Sequence, residues 1–355
     1  MNRHIVIESA CVIVFATLFL VSCKGKDEQD GTVALFPIKQ NGKWGYIDDT
    51  GKVVIEPQYY MAWDFSEGLA RVRPKDDGGE GFIDCRNRMV IKPEFEVAWD
   101  FSEGLAIVMK TFGGKCGYID KSGTYVIKAQ FDPPSLANPG NFSEGMAVVK
   151  INGKFGYINK KGQIVIEPFF DIAKDFSEGL AAIRKGEKWG YIDTGGKIMV
   201  DFKLAVADDF REGFSSVAEK ISGKWGYIDK TGDYAIKAQF EATLPFSEGM
   251  GLVRVGDKWG YINRSGNIVI QPQFDDAKPF SETLAVVRKD RRWVYIDTTG
   301  RIVLTPQIDS SDTVPGSFSH GVARIIKKVG TDKGGTTELW GYIDINGRYI
   351  WEPTK

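Results

Sequence analysis

Histidine is nearly absent from this chain, with His4 and His320 the two examples among 355 residues. His4 lies in a leader-like segment, so the rest of the protein holds one imidazole. That excludes histidine-built zinc centres and repeated Ser-His-Asp triads. An excess of either charge is missing too: 46 Lys and Arg face 47 Asp and Glu, a net charge of −1, with both signs mixed along the chain. Without a basic stripe, no nucleic-acid partner is expected. Cysteine is scarce, with Cys11 and Cys23 near the start, Cys85 in a turn and Cys116 in a strand-like stretch. Four such residues make no disulfide framework, and a Cys85–Cys116 bridge stays open. There is no Gly-rich phosphate loop, no Gly-x-Ser-x-Gly elbow and no Cys-x-x-Cys. The sequence predicts a protein that is not an enzyme and needs neither cofactor nor metal.

One long apolar run is present, from Ala10 to Val21, with Arg3 and His4 ahead of it. Its length suits a signal-peptide core better than a membrane span, although an uncleaved anchor is the alternative. It ends in Leu20-Val21-Ser22-Cys23, which resembles a bacterial lipobox. The expectation is a signal peptide over residues 1–22, lipidation of Cys23, and a polar tether over residues 23–32. The run of Lys, Asp and Glu after Cys23 is also similar to the surface-export signal of some Bacteroidetes lipoproteins. Location in the bacterial envelope, lipid-anchored at the outer membrane or cell surface, follows as an expectation.

From residue 33 onward one motif recurs. Lys224-Trp225-Gly226-Tyr227-Ile228-Asp229-Lys230-Thr231-Gly232 has eight relatives, with origins at Trp44, Glu80, Cys116, Phe155, Trp189, Trp259, Trp293 and Trp340. All nine copies have Ile three positions after the origin. Eight have Gly next to the origin, Val294 being the exception, and eight have Tyr after that, Phe82 being the exception. Spacings of about 34–39 residues between most origins signify stacked supersecondary units. Trp, Tyr and Ile favour strands, with Ile predicted to face the interior. Asp or Asn followed three residues later by Gly, as in Asp48 and Gly51, predicts a type I turn closed by a bulge. An apolar strand such as Val53-Val54-Ile55 follows. Pro57 and its equivalents end that strand or mark it as an edge. A Phe-Ser-Glu-Gly turn (from Phe65, Phe101, Phe142, Phe176 and Phe246) and a third strand such as Leu69–Arg73 complete the unit.

Lys-Trp-Gly-Tyr-Ile-Asp with Val-Ile-x-Pro and Phe-Ser-Glu-Gly resembles the WG-repeat (KWG) proteins of bacteria, over about residues 33–355. That resemblance implies a β-rich repeat domain, often exported, with no shared catalytic activity or cofactor. The expected architecture is all-β: nine tandem three-stranded antiparallel repeats in an open solenoid or superhelical array, with a closed propeller-like ring as the alternative. The expected function is a non-catalytic interaction scaffold, its partner an envelope protein or polysaccharide, and its membrane contact the lipid anchor. A carbohydrate- or peptidoglycan-binding module is the alternative, and a carboxylate-dependent hydrolase is the outlying third.

Seven turn glutamates (Glu67, Glu103, Glu144, Glu178, Glu212, Glu248, Glu282) could supply acid–base pairs or bind Ca²⁺. A group repeated in every unit is better explained by stacking, each Glu fixing its own turn. The repeat Trp residues suit a packed site, since Phe155 and Cys116 replace them. Trp63 and Trp99, beside Asp64 and Asp100, are less regular and are the candidate ligand-contact residues.

Overall fold

The computed structural model describes residues 34–133, 140–308, 313–330 and 336–353. Cys23, the leader and the tether lie outside these residues. Within them the chain forms nine antiparallel sheets and no helix. Each sheet is one blade, in chain order.

The fifth blade shows how a unit is built. Its strands are Ile172–Ala173, Leu180–Lys185, Lys188–Asp193 and Ile198–Leu204, hydrogen-bonded in that order. The third strand carries Trp189, Gly190, Tyr191 and Ile192, and its two faces are both covered because a blade stands on either side. Tyr191 and Ile192 are accordingly fully buried, as is Ile228 in the sixth blade. The predicted turn is present: in the first blade Asp48 Oδ1 accepts the N–H groups of Thr50 and Lys52, both at 3.0 Å, and Gly51 has φ 86°.

The repeat glycine has a steric cause. The fourth strand bulges opposite it, between the pairs Trp189–Leu204 and Tyr191–Val200. That bulge pushes a carbonyl over the glycine, so a Cβ at Gly190 would lie 2.4 Å from the Val200 oxygen. Val294 is the exception, in a blade whose fourth strand is Ile302–Leu304. In four blades the fourth strand runs through the proline, as Val53–Tyr59 does through Pro57. It is the outer edge strand, where proline's missing N–H costs nothing.

Two expectations need correction. The units are four-stranded in seven of the nine sheets, not three-stranded. The extra strand lies just before the Phe-Ser-Glu-Gly turn, as in Val97–Ala98 or Val206–Ala207. The array is also closed rather than open. Tyr342 of the ninth blade donates to the Pro37 carbonyl of the first at 2.7 Å, and its ring lies 5.5 Å from Phe36. Trp340 meets Trp44 edge-on at 4.8 Å, and Ile38 and Ile47 share a buried cluster with Val322 and Tyr342. The molecule is a nine-bladed propeller ring. No strand is exchanged across the seam among the described residues. The first blade has three strands there, and Arg324 of the ninth reaches past it to pair with Asp64 of the second. Side chains, not a shared sheet, close the ring.

Candidate functional site

Three repeated groups bind each blade to the next. The first is the motif tyrosine. Tyr46, Tyr118, Tyr157, Tyr191, Tyr227, Tyr261 and Tyr295 each donate to a carbonyl of the following blade at 2.7–2.8 Å. Each ring also stacks on the phenylalanine of that blade's Phe-Ser-Glu-Gly turn, at 4.8–5.0 Å between centroids. Burial holds the Tyr191 and Tyr261 hydroxyls protonated far above the usual phenol range.

The second group is the turn serine. Ser66, Ser102, Ser143, Ser177, Ser247 and Ser281 donate to the phenylalanine carbonyl of the next turn at 2.6–2.8 Å. The third is the glutamate, and here the expected role is corrected: it fixes the next turn, not its own. Glu178 Oε2 accepts the Gly213 N–H at 2.9 Å, and Glu67, Glu103, Glu144 and Glu212 repeat this pairing with the following turn's glycine. Glu248 accepts from Thr283, and Glu282 from His320 and Gly321. All seven glutamates have φ of 50–55°, a left-handed conformation that glycine or asparagine would adopt more readily. Glutamate is therefore kept there for the bond across the junction. Four also meet a cation: Glu67 with Lys121, Glu103 with Lys160, Glu178 with Lys230, and Glu212 with Arg264.

The candidate contact residues are half-buried. Trp63 lies under the Arg71 guanidinium, 3.8 Å from the ring centre. Arg71 and Arg73 in turn hold the buried Glu80, which takes the place of a repeat Trp. Trp99 packs against the third and fourth blades. The repeat Trp rings are half-buried or buried as well, with Arg184, Arg254, Arg288 and Arg324 over Trp189, Trp259, Trp293 and Trp340. Cys85 and Cys116 are both free thiols, and burial pushes the Cys116 thiol up to about 11. No group of three or more His, Cys, Asp or Glu able to hold a metal occurs among the described residues.

The junctions are not all alike, and the departures gather in one place. A cavity of about 480 Å³ opens where the inner turns of the fifth to eighth blades converge. Its lining includes Glu178, Arg211, Glu212, Pro245, Phe246 and Pro279. Arg211 replaces the junction serine. Pro245 and Pro279 occupy the position before the turn phenylalanine, where other blades have Asp64, Asp100, Asn141, Asp175 and Asp209. One oxygen of each of Asp100, Asn141, Asp175 and Asp209 is fully covered and has no hydrogen-bond partner. Desolvation, and then the neighbouring Asp209, push Asp175 up to about 7. The pocket thus borders an arc of acidic positions without being lined by it. Sequence reasoning missed it, although the break in the serine pattern at Arg211 was visible.

Solved structures similar to the chain include a streptogramin B lyase (16% identity, 67% of this chain and 88% of that one, TM-score 0.35). Others are virginiamycin B lyase from Staphylococcus aureus (15%, 63% and 89%, 0.37) and AztD from Citrobacter koseri (12%, 91% and 93%, 0.44). At such scores nothing about activity follows from them. No curated protein matches the sequence. The profile of the WG containing repeat matches eight times, over residues 44–77, 81–116, 117–155, 155–189, 189–220, 225–259, 259–293 and 295–328. The tyrosine, serine and glutamate links explain why that repeat must keep its residues, and over most of its length the chain belongs to the WG-repeat family.

Proposed function

We propose that this is an exported, lipid-anchored binding scaffold of the bacterial envelope, without catalytic activity. The observation that carries the reading is the engagement of the repeated carboxylates. Each turn glutamate accepts a backbone N–H from the next blade. A group so held fixes a junction, whereas a general acid or base needs one distinctive environment and a free path to substrate. The half-buried Trp rings under Arg side chains favour a scaffold over a sugar-stacking surface. What departs from the repeat, the pocket around Arg211, is a concave site of the size that small ligands occupy.

Two measurements test this. Cys23→Ala should move the protein from the membrane to the soluble fraction; if it stays membrane-bound to the same extent, residues 10–21 are an anchor and lipidation is wrong. The full chain, used as bait in detergent-solubilised envelope, should retain a defined protein or polysaccharide. Retention of nothing beyond a bait-free control would overturn the scaffold.

A further inference from the structure

We infer that the pocket between the fifth and eighth blades binds a small organic acid, with Arg211 taking its carboxylate and Pro245, Phe246 and Pro279 receiving its body. The inference rests on the binding-protein reading and deepens it.

Arg211 is where the repeat gives up a bond. Six serines at this position donate to the next blade's phenylalanine carbonyl, among them Ser177 to Phe210 and Ser247 to Phe280. Arg211 makes no such bond, so the Phe246 carbonyl loses the donor its equivalents have. Nor does the Arg211 side chain gain a hydrogen bond or ion pair among the described residues. Burial raises the Asp209 carboxyl, which Lys174 and, more weakly, Arg211 draw back down. A position that breaks its own repeat with no structural return is where function is expected.

The rest of the wall defines what would fit. Glu178 and Glu212 border the pocket, but each is already occupied by a backbone N–H and a cation. The acidic positions stop at Asp209, and Pro245 and Pro279 replace them with rigid apolar surface. What remains is the exposed Arg211 guanidinium, without a hydrogen bond or ion pair among the described residues, in a lining it shares with proline and phenylalanine. A guanidinium forks onto a carboxylate through two parallel N–H bonds, a geometry that neither a cation nor a neutral sugar can use. An apolar or sugar body would then cover the prolines.

The test uses the detergent-solubilised full chain and two probe pairs, phenylacetate against 2-phenylethanol and glucuronate against glucose. Binding is read by titration calorimetry and ligand-observed NMR. At least one acid should bind, its neutral counterpart should not, and the pair that succeeds separates an aromatic acid from a sugar acid. Arg211→Ser should weaken that acid by about tenfold or more. It should melt no lower than wild type, because serine restores the link to Phe246. Absence of binding by both acids, equal binding of a neutral counterpart, or full binding by Arg211→Ser overturns the inference. If both acids fail while the chain still retains an envelope partner, the pocket assignment falls and the scaffold stands. If an acid binds as expected and no partner is retained, the scaffold falls and the pocket stands.

Discussion

The turn glutamates hold two opposing demands in one residue. Their left-handed backbone disfavours any side chain other than glycine or asparagine, by about 1–2 kcal/mol. Their carboxylates make a charge-assisted bond to the next blade, worth about 1.5–3 kcal/mol. Substitutions can separate the two. Glu178→Gln keeps an acceptor and the strain, so a loss of about 1 kcal/mol is expected in chemical denaturation. Glu178→Asn relieves the strain but is too short to reach Gly213, so hydrogen exchange at the Gly213 amide should rise with little change in global stability. Unchanged exchange at Gly213 would show that the junction bond is unimportant. Asp175 offers a test by pH. Its folded value of about 7 lies above the ordinary 3.8, so below 3.8 both states are protonated and nothing is lost. As pH rises toward 7 the unfolded chain ionises while the folded one resists, and stability falls until the folded value is passed. Asp175→Asn should therefore stabilise the protein by about 1–3 kcal/mol at pH 8 and by clearly less at pH 5. Equal gains at both pH values would mean Asp175 is ionised normally. The serine, glutamate and tyrosine positions were legible because they recur. Their partners were not, since each bond joins residues on different blades and nothing in a local pattern reports that geometry.

At the scale of the strand, what could be read from sequence depended on length. The third strand of each blade, with its Gly, Tyr and Ile, and the turn at Asp48 or Asp229 were readable from alternation and turn chemistry. The innermost strand was not. In four blades it has two residues, as in Val97–Ala98 and Ile172–Ala173, too few to show a period. Overlooking that strand turned a four-stranded blade into a three-stranded unit, which made a propeller look improbable. The bulge opposite the repeat glycine was equally hidden, yet it makes a sharp prediction. In Gly226→Ala the new Cβ would lie 2.6 Å from the Ile236 carbonyl oxygen, and backbone would have to give way. A loss of about 1–3 kcal/mol is expected. Val294→Ala, at the same position in the eighth blade, should lose less than about 1.5 kcal/mol through a small cavity. Equal and large losses at both sites would mean that the bulge is not what selects glycine.

The closure of the ring is the property of the whole molecule that sequence reasoning placed second. Sequence reasoning preferred an open array, and strand exchange is indeed absent among the described residues. What closes the ring is a set of side-chain contacts, the motif tyrosine among them. Tyr342 donates to Pro37 on the second-strand position, the first blade showing no inner strand among the described residues, and Arg324 reaches Asp64 while lying over Trp340. These contacts predict a distinct response. In an open array the terminal units fray independently and their amides exchange first. In the closed ring the first and ninth blades are protected like the others, and the seam is a junction that can be weakened on its own. Tyr342→Phe removes one buried hydroxyl donor and leaves the Pro37 carbonyl unpaired, which should cost about 1–3 kcal/mol. Tyr261→Phe, at an interior junction, should cost about the same by denaturation. The two should differ in where exchange increases: around Ile38, Ile47 and Ile343 for the first, and around Tyr261 and Phe280 for the second. Arg324→Ala should reproduce the Tyr342→Phe pattern, and the double variant should lose less than the sum, because both act on one seam. Fast exchange at Ile38 and Ile343 already in the wild-type protein would show that the ring stands open in solution.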